Sequence, residues 1–537
     1  MRWICVLAAT TLLAACEASV TVNATANVAA DYSRVLVTVR EVWFNENATA
    51  APADDTWEKF RLDESRTIDL VDVSGSGLTR IASDLILPSG RWRQLRLVLA
   101  ASDGKLRDSA KALDARYNNE VRWFDDKGDE RTSRLEVLNA EQGVGVGLSL
   151  KVVVDTGGTT TINTVQVAFD AARDLTEFRY GGRVGFVLNP ELRAYEMADA
   201  GTIRGTLNWS QLDLDPDTGR PDIQVTAQRL DEGQGRHVVV GSSAVGINGS
   251  FVLYPLPLDK DKNTTRYDLV ISGPGIQTVV VRDVPVTASV PASAANVSLG
   301  ILLEAADSYE VNLQEDAPLA PRGARVGFYQ TLPGGDEPYL IAAAPVDPLS
   351  GRFAQPLRLS RAGSISWGTY GNGFTLRSGT PKEGAGRYGV AALSSHYGHG
   401  AFAATTLRPA SPVSDTALFT VPPLDIASPA VPGNLSATVT VENPGRYDRG
   451  VLLVTREGAV ATVAPLDEVL QQQLGSTFVD VPLPAGTDLT VFPAALYHLE
   501  AWTWDSANAA DSFTRHAGDA AVDLRATANA VGAITIR

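Results

Sequence analysis

Val144-Gly145-Val146-Gly147-Leu148-Ser149-Leu150-Lys151-Val152 is the stretch from which the fold class follows. Its apolar residues fall at every second position with small or polar residues between them. That period puts one face of a pleated strand in a core and the other in water, and a helix cannot use it. The alternation recurs at Leu95, Leu97, Leu99 and at Val165, Val167, Phe169. Tyr32 to Phe44 reads as a strand with Val35, Val37 and Val39 on one face and Arg34, Thr38 and Arg40 largely on the other. Ser74-Gly75-Ser76-Gly77 and Asp125-Asp126-Lys127-Gly128-Asp129 punctuate these runs as turns. Helix is confined to two short candidates, Asp108 to Arg116 and Leu466 to Leu474, so the chain is expected to be all-β.

At 537 residues the chain is too long for one hydrophobic core. The formal net charge of −16, from 46 Lys and Arg against 62 Asp and Glu, repels phosphate backbones and anionic lipid surfaces and argues against nucleic acid as a partner. The first residues set the address. Arg2 supplies a positive start, Ile4 to Leu13 form an apolar run too short to span a bilayer, and small residues precede Cys16, as in a secretory signal. Leu13-Ala14-Ala15-Cys16 resembles the lipobox of bacterial lipoproteins. The resemblance implies cleavage before Cys16, a diacylglycerol on its sulfur and an acyl chain such as palmitate on its new amino group. Three chains make such attachment effectively permanent. Glu17, standing where some bacteria read an inner-membrane retention signal in aspartate, points to the outer membrane. Of the two cysteines, Cys5 leaves with the signal and Cys16 is acylated, so the mature protein is expected to hold its modules together without disulfides.

Four segments carry a family resemblance over residues 19 to about 197. They are Thr67-Ile68-Asp69-Leu70, Leu87-Pro88-Ser89-Gly90-Arg91-Trp92-Arg93-Gln94-Leu95-Arg96-Leu97, Ala168-Phe169-Asp170-Ala171-Ala172-Arg173-Asp174-Leu175 and Leu188-Asn189-Pro190-Glu191-Leu192-Arg193. In that order they resemble the bacterial lipoprotein domain of unknown function 4382, which implies a fold and an address and brings no catalytic residues. The acidic-proline segment of that pattern is replaced here by Asn23-Ala24-Thr25-Ala26-Asn27.

From Gly201 onward a pattern repeats. Gly249-Ser250-Phe251 with Pro255-Leu256-Pro257-Leu258, Gly351-Arg352-Phe353 with Pro356-Leu357-Arg358-Leu359, and Gly475-Ser476-Thr477-Phe478 with Pro482-Leu483-Pro484 recur at about the length of one β-sandwich domain. Before each lies a strand candidate, at Ile223 to Leu230, Arg325 to Thr331 and Val451 to Thr455. A Tyr-x-Leu strand follows the first and third, at Tyr267 and Tyr497. This order resembles the transthyretin-like, carboxypeptidase-regulatory type of small sandwich. The expected organisation is a signal peptide at 1–15 and an N-terminal β-sandwich at 16–198. Three smaller immunoglobulin-like or transthyretin-like sandwiches follow at 199–305, 306–426 and 427–537, joined by short or proline-stiffened connectors into an elongated array.

Candidate sites are few. Asp213, Asp215 and Asp217 space three carboxylates at alternate positions, as oxygen-rich calcium loops do, but Gly219 and Gln224 fall where an EF-hand does not allow them. The alternative is a solvated hairpin turn. His396 and His399 form the only close histidine pair, in a glycine-rich loop. If Tyr497, Leu499 and Ala501 face a core, then His498, Glu500, Trp502 and Trp504 share the opposite face. Flat indoles there would stack on a sugar ring or on a partner's apolar patch. The alternative is that a neighbouring module or loop covers them. No nucleophile elbow, His-Glu-x-x-His or phosphate loop is present.

These residues imply a non-enzymatic envelope lipoprotein serving adhesion, ligand binding or structural attachment. Its expected partners are the membrane and a glycan or envelope protein, with calcium as the sole cofactor candidate. A carbohydrate-binding accessory lipoprotein and a surface hydrolase are the alternatives.

Overall fold

The structure is a computed structural model that describes residues 17–537 apart from interruptions, the longest at 154–161, 213–222, 314–324, 394–415, 420–433 and 482–495. Nearly every described element is a strand. The two expected helices are single turns, Asp108–Lys111 and Asp467–Gln471.

The first module is a sandwich of two sheets. One has the order Arg193–Glu196, Ile162–Asp170, Glu17–Asn27, Thr79–Pro88. Its central pair runs parallel, Ser19 opposite Ile162 and Asn27 opposite Asp170, because the chain makes a long crossover between them that builds most of the second sheet, from Tyr32–Asn45 to Val144–Val152. The second sheet contains Tyr32–Asn45, Gly90–Leu99 and Val144–Val152. Along Val144–Val152 burial alternates residue by residue. Val144, Val146, Leu148, Leu150 and Val152 point into one core with Val20, Val22, Leu95, Leu97, Val165 and Val167. Each such side chain contributes roughly 1.5–3 kcal/mol by leaving water. Thr38 departs from its expected outward position. It is fully buried, and its backbone N–H donates to the Asn119 side chain at 2.9 Å.

The three remaining modules share one pairing scheme. In each, the first strand pairs antiparallel with a later strand and parallel with the last. These triplets are Ala200–Asn208 with Ser250–Pro257 and Asn296–Leu302; Ser308–Leu313 with Leu357–Ser360 and Thr416–Phe419; and Asn434–Val441 with Ser476–Val481 and Asn529–Ile536. In each, the second strand lies between two antiparallel neighbours. Gln224–Asp231 sits between Arg236–Ala244 and Thr265–Ser272, Arg325–Thr331 between Pro338–Pro345 and Gly389–Leu393, and Arg449–Arg456 between Ala459–Pro465 and Leu496–Trp504. Phe251 and Phe478 lie on the antiparallel partner of the first strand of their modules, whereas Phe353 precedes the corresponding strand Leu357–Ser360 and makes an isolated bridge to Val346.

Two features revise the elongated array. Ile365–Thr369, placed by the sequence inside the third module, pairs parallel with Val279–Ala288 of the second, and Tyr370, Phe374 and Leu376 pack on the second module's core. The two modules thus share a sheet across the expected boundary at 305–306. The first module also touches all three others. Asp170 accepts a hydrogen bond from Ser242 at 3.0 Å, Asp174 pairs with Arg325 at 2.9 Å, and Glu136 pairs with Arg515. The last module folds back on the first, because each carries an apolar strand face that the other covers.

Candidate functional site

Strand Leu496–Trp504 has the parity expected of it. Tyr497, Leu499 and Ala501 are buried in the last module's own core. Their neighbours in sequence turn to the other side, and that side is occupied. Trp502 is 0% exposed, its ring 4.8 Å from Phe178 of the first module, in a cluster with Leu138, Val187, Val451, Leu453 and Val463. Tyr180 stands 4.6 Å from Phe513 and 6.3 Å from Trp504. The expectation of two exposed indoles is thereby corrected. Trp502 has no free face for a sugar, Glu500 is buried, and His498 and Trp504 are half-buried.

Charges stitch the rim of this aromatic contact. Trp502 Nε1 donates to Glu500 Oε1 at 2.7 Å. Arg515 donates through Nε to the same oxygen at 2.5 Å and through Nη1 to Glu136, which Arg134 also holds. Burial alone would lower the Arg515 guanidinium, but the charges and hydrogen bonds of Glu500 and Glu136 outweigh it and raise the group further. One guanidinium between two mostly buried carboxylates is costly to break, because either carboxylate would be left poorly compensated. Phe178, Glu136 and Arg515 escaped the sequence reading. The structure buries all four residues of Leu175-Thr176-Glu177-Phe178, so that strand is covered on both faces, but Thr176 and Glu177 interrupt the continuous apolar run that would have announced it.

A second cluster joins the second and third modules. His237 stacks on Tyr339 with ring centroids 3.7 Å apart, its Nε2 lies 3.4 Å from Asp268 Oδ2, and the Tyr339 hydroxyl donates to that oxygen at 2.8 Å. Burial would raise the Asp268 carboxyl, yet hydrogen bonds from His237, the Asp283 backbone and Tyr339 hold it below the ordinary range. A histidine beside a carboxylate is the start of an acid–base apparatus, but the ring is sandwiched at a module contact, an arrangement suited to holding surfaces together.

Two spaces stand out among the described residues. Asp170, Asn27, Ser242, Arg193 and Tyr195 line a space of about 30 Å³ between the first two modules, room for a water molecule. An open groove of about 490 Å³ runs beside Asp63, Glu64, Arg66 and Arg80. Among the described residues no three His, Cys, Asp or Glu side chains converge as a metal site. Cys16, Asp213, Asp215, Asp217, His396 and His399 lie outside the described residues.

Strand order, parallel central pair and core all belong to the segment for which a family resemblance was read. Residues 17–190 match the family described as Domain of unknown function (DUF4382). The DUF4382 segment covers about a third of the chain and supplies the surfaces on which the other modules dock. No curated protein matches the chain. Among solved structures, the tip fimbrial protein Mfa3 from Porphyromonas gingivalis is 11% identical, with 68% of this chain and 98% of that one covered and a TM-score of 0.14. A streptococcal ancillary pilin is 11% identical, with 63% and 99% covered and a TM-score of 0.11. The major pilin SpaA of Corynebacterium diphtheriae is 10% identical, with 76% and 99% covered and a TM-score of 0.13.

Proposed function

We propose that the chain is a lipid-anchored, non-enzymatic protein of the bacterial cell envelope, on the outer membrane, whose β modules form a scaffold for adhesion, ligand binding or structural attachment. The observation that carries this reading is Leu13-Ala14-Ala15-Cys16, a lipobox-like run, one peptide bond ahead of the first strand of a folded domain. The way the ionisable groups are used supports it. Glu136, Arg515 and Glu500, and separately His237, Asp268 and Tyr339, engage one another at module contacts, as groups that join parts do. Expressed in a bacterium fed labelled palmitate, the wild-type chain should incorporate label and fractionate with membranes. Cys16→Ser should take up none and leave the membrane fraction; a Cys16→Ser protein that still partitions with lipid would overturn the reading.

A further inference from the structure

Strand Glu17–Asn27 starts at the residue after Cys16, with Glu17 already paired to Pro88 and Ala18 buried. One residue spans at most about 3.6 Å. The headgroup layer of a leaflet is roughly 5–8 Å deep, half the difference between the full bilayer and its hydrocarbon core. If Cys16 carries acyl chains, the folded domain therefore begins inside that layer, with no tether to lift it clear. The same end of the sandwich contains the corner at residues 88–91, where the chain passes from one sheet to the other, and the end of strand Val144–Val152.

This end carries a basic strip beside acidic groups, the Glu46 carboxylate lying close against Gly90. Arg91 and Lys151 are exposed and stand directly opposite each other in register, and neither has a hydrogen bond or ion pair among the described residues. Like charges facing across a strand pair destabilise it unless an anion lies between them. Arg93 extends the basic strip, and Ile86 and Val153 are among the few large apolar side chains left exposed, at 44% and 48%. In a chain of net charge −16 the strip is a local exception. Asp54, Asp55 and Glu58, at the turn between Tyr32–Asn45 and Glu58–Asp69, lie at the same end beside it. Contacts to the other modules are made elsewhere, through Asn27, Asp170 and Asp174 at the opposite end and Glu136 and Phe178 on the flank.

We propose that this end of the first sandwich, Glu17 with residues 88–91 and 151–153, is a phospholipid-headgroup surface that places Arg91 and Lys151 against lipid phosphates and fixes the domain upright on the membrane. The proposal rests on the lipid-anchor reading. It makes Ser89 a headgroup neighbour and Lys127, in the turn at the opposite end, a distant one.

The mature chain has no free thiol other than one introduced, so Ser89→Cys and Lys127→Cys can each carry a single fluorophore. The test places lipidated protein in vesicles of phosphatidylethanolamine and phosphatidylglycerol containing headgroup-spin-labelled lipid. Quenching at position 89 should exceed that at 127 several-fold. It should fall in Arg91→Glu/Lys151→Glu, and on insertion after Cys16 of about twelve Gly/Ser residues, which reach roughly 20 Å. In both variants the protein should remain with the vesicles. Vesicle-bound protein with equal quenching at 89 and 127 would overturn the headgroup surface, and a wild-type chain that never joins the vesicle fraction would overturn the anchor beneath it.

Discussion

At the scale of single residues, the contact between the first and last modules depends on Trp502 and Arg515. Trp502 fills a closed space against Phe178, and Trp502→Ala should cost about 3–5 kcal/mol because the cavity cannot collapse across two rigid sheets. Chemical denaturation with intrinsic fluorescence reads that loss; a cost within the noise of a surface mutation would mean the indole is not packed there. Arg515→Met leaves two buried carboxylates facing an apolar side chain, whereas Glu136→Gln/Glu500→Gln/Arg515→Met removes all three charges. The single substitution should therefore destabilise more than the triple. His516 gives a pH signature. Burial, with Arg446 and Arg537 adding repulsion, pushes its imidazole down to about 4, and its Nε2 lies 2.9 Å from the Thr503 hydroxyl. The unfolded chain binds this proton near the ordinary histidine value, so His516 contributes fully above about pH 6.5. That contribution, on the order of 1–3 kcal/mol, is lost as pH falls toward 4. His516→Gln should narrow its stability difference from wild type over that window; a constant offset would contradict the assignment.

At the scale of elements, the repeat and the shared sheet make separate demands. Gly205 lies opposite Phe251 in the first repeat, and a Cβ there would fall 2.6 Å from the ring and 3.1 Å from the Val297 carbonyl oxygen. Gly205→Ala should therefore destabilise by about 1–3 kcal/mol through overpacking between two strands. The strand Ile365–Thr369 joins a neighbouring module's sheet, its Ser366 N–H donating to the Thr278 carbonyl at 3.0 Å. Ser366→Pro deletes that donor in a strand paired on both sides, and should expose residues 365–379 to limited proteolysis while the first module stays intact. Much here was legible. Pleated strands repeat every two residues, so Tyr497, Leu499 and Ala501 named their own face, and the glycine–phenylalanine spacing marked three modules. The pairing partner of Ile365–Thr369 was not legible, because five residues of good strand-forming sequence pair as readily with one open edge as with another.

At the scale of the whole molecule, the first module is a hub. Its contacts with the second, third and last modules put residues far apart in the chain side by side, Glu136 and Arg515 among them at a separation of 379. Breaking the first-to-last contact with Trp502→Ala/Arg515→Glu should raise the radius of gyration measured by X-ray scattering, whereas an array of independent modules would show no change. By itself the sequence determined the all-β class, the strand faces, the threefold repeat and a lipobox-like run directly ahead of the first strand, because these depend on residues close along the chain. Only the tertiary structure decided what lies on the face of Trp502 and Glu500, and that face proved to be a seam between modules. The reason is physical: alternation specifies that a surface is apolar, while its occupant is set by shape and charge on a strand hundreds of residues away, which no local period records.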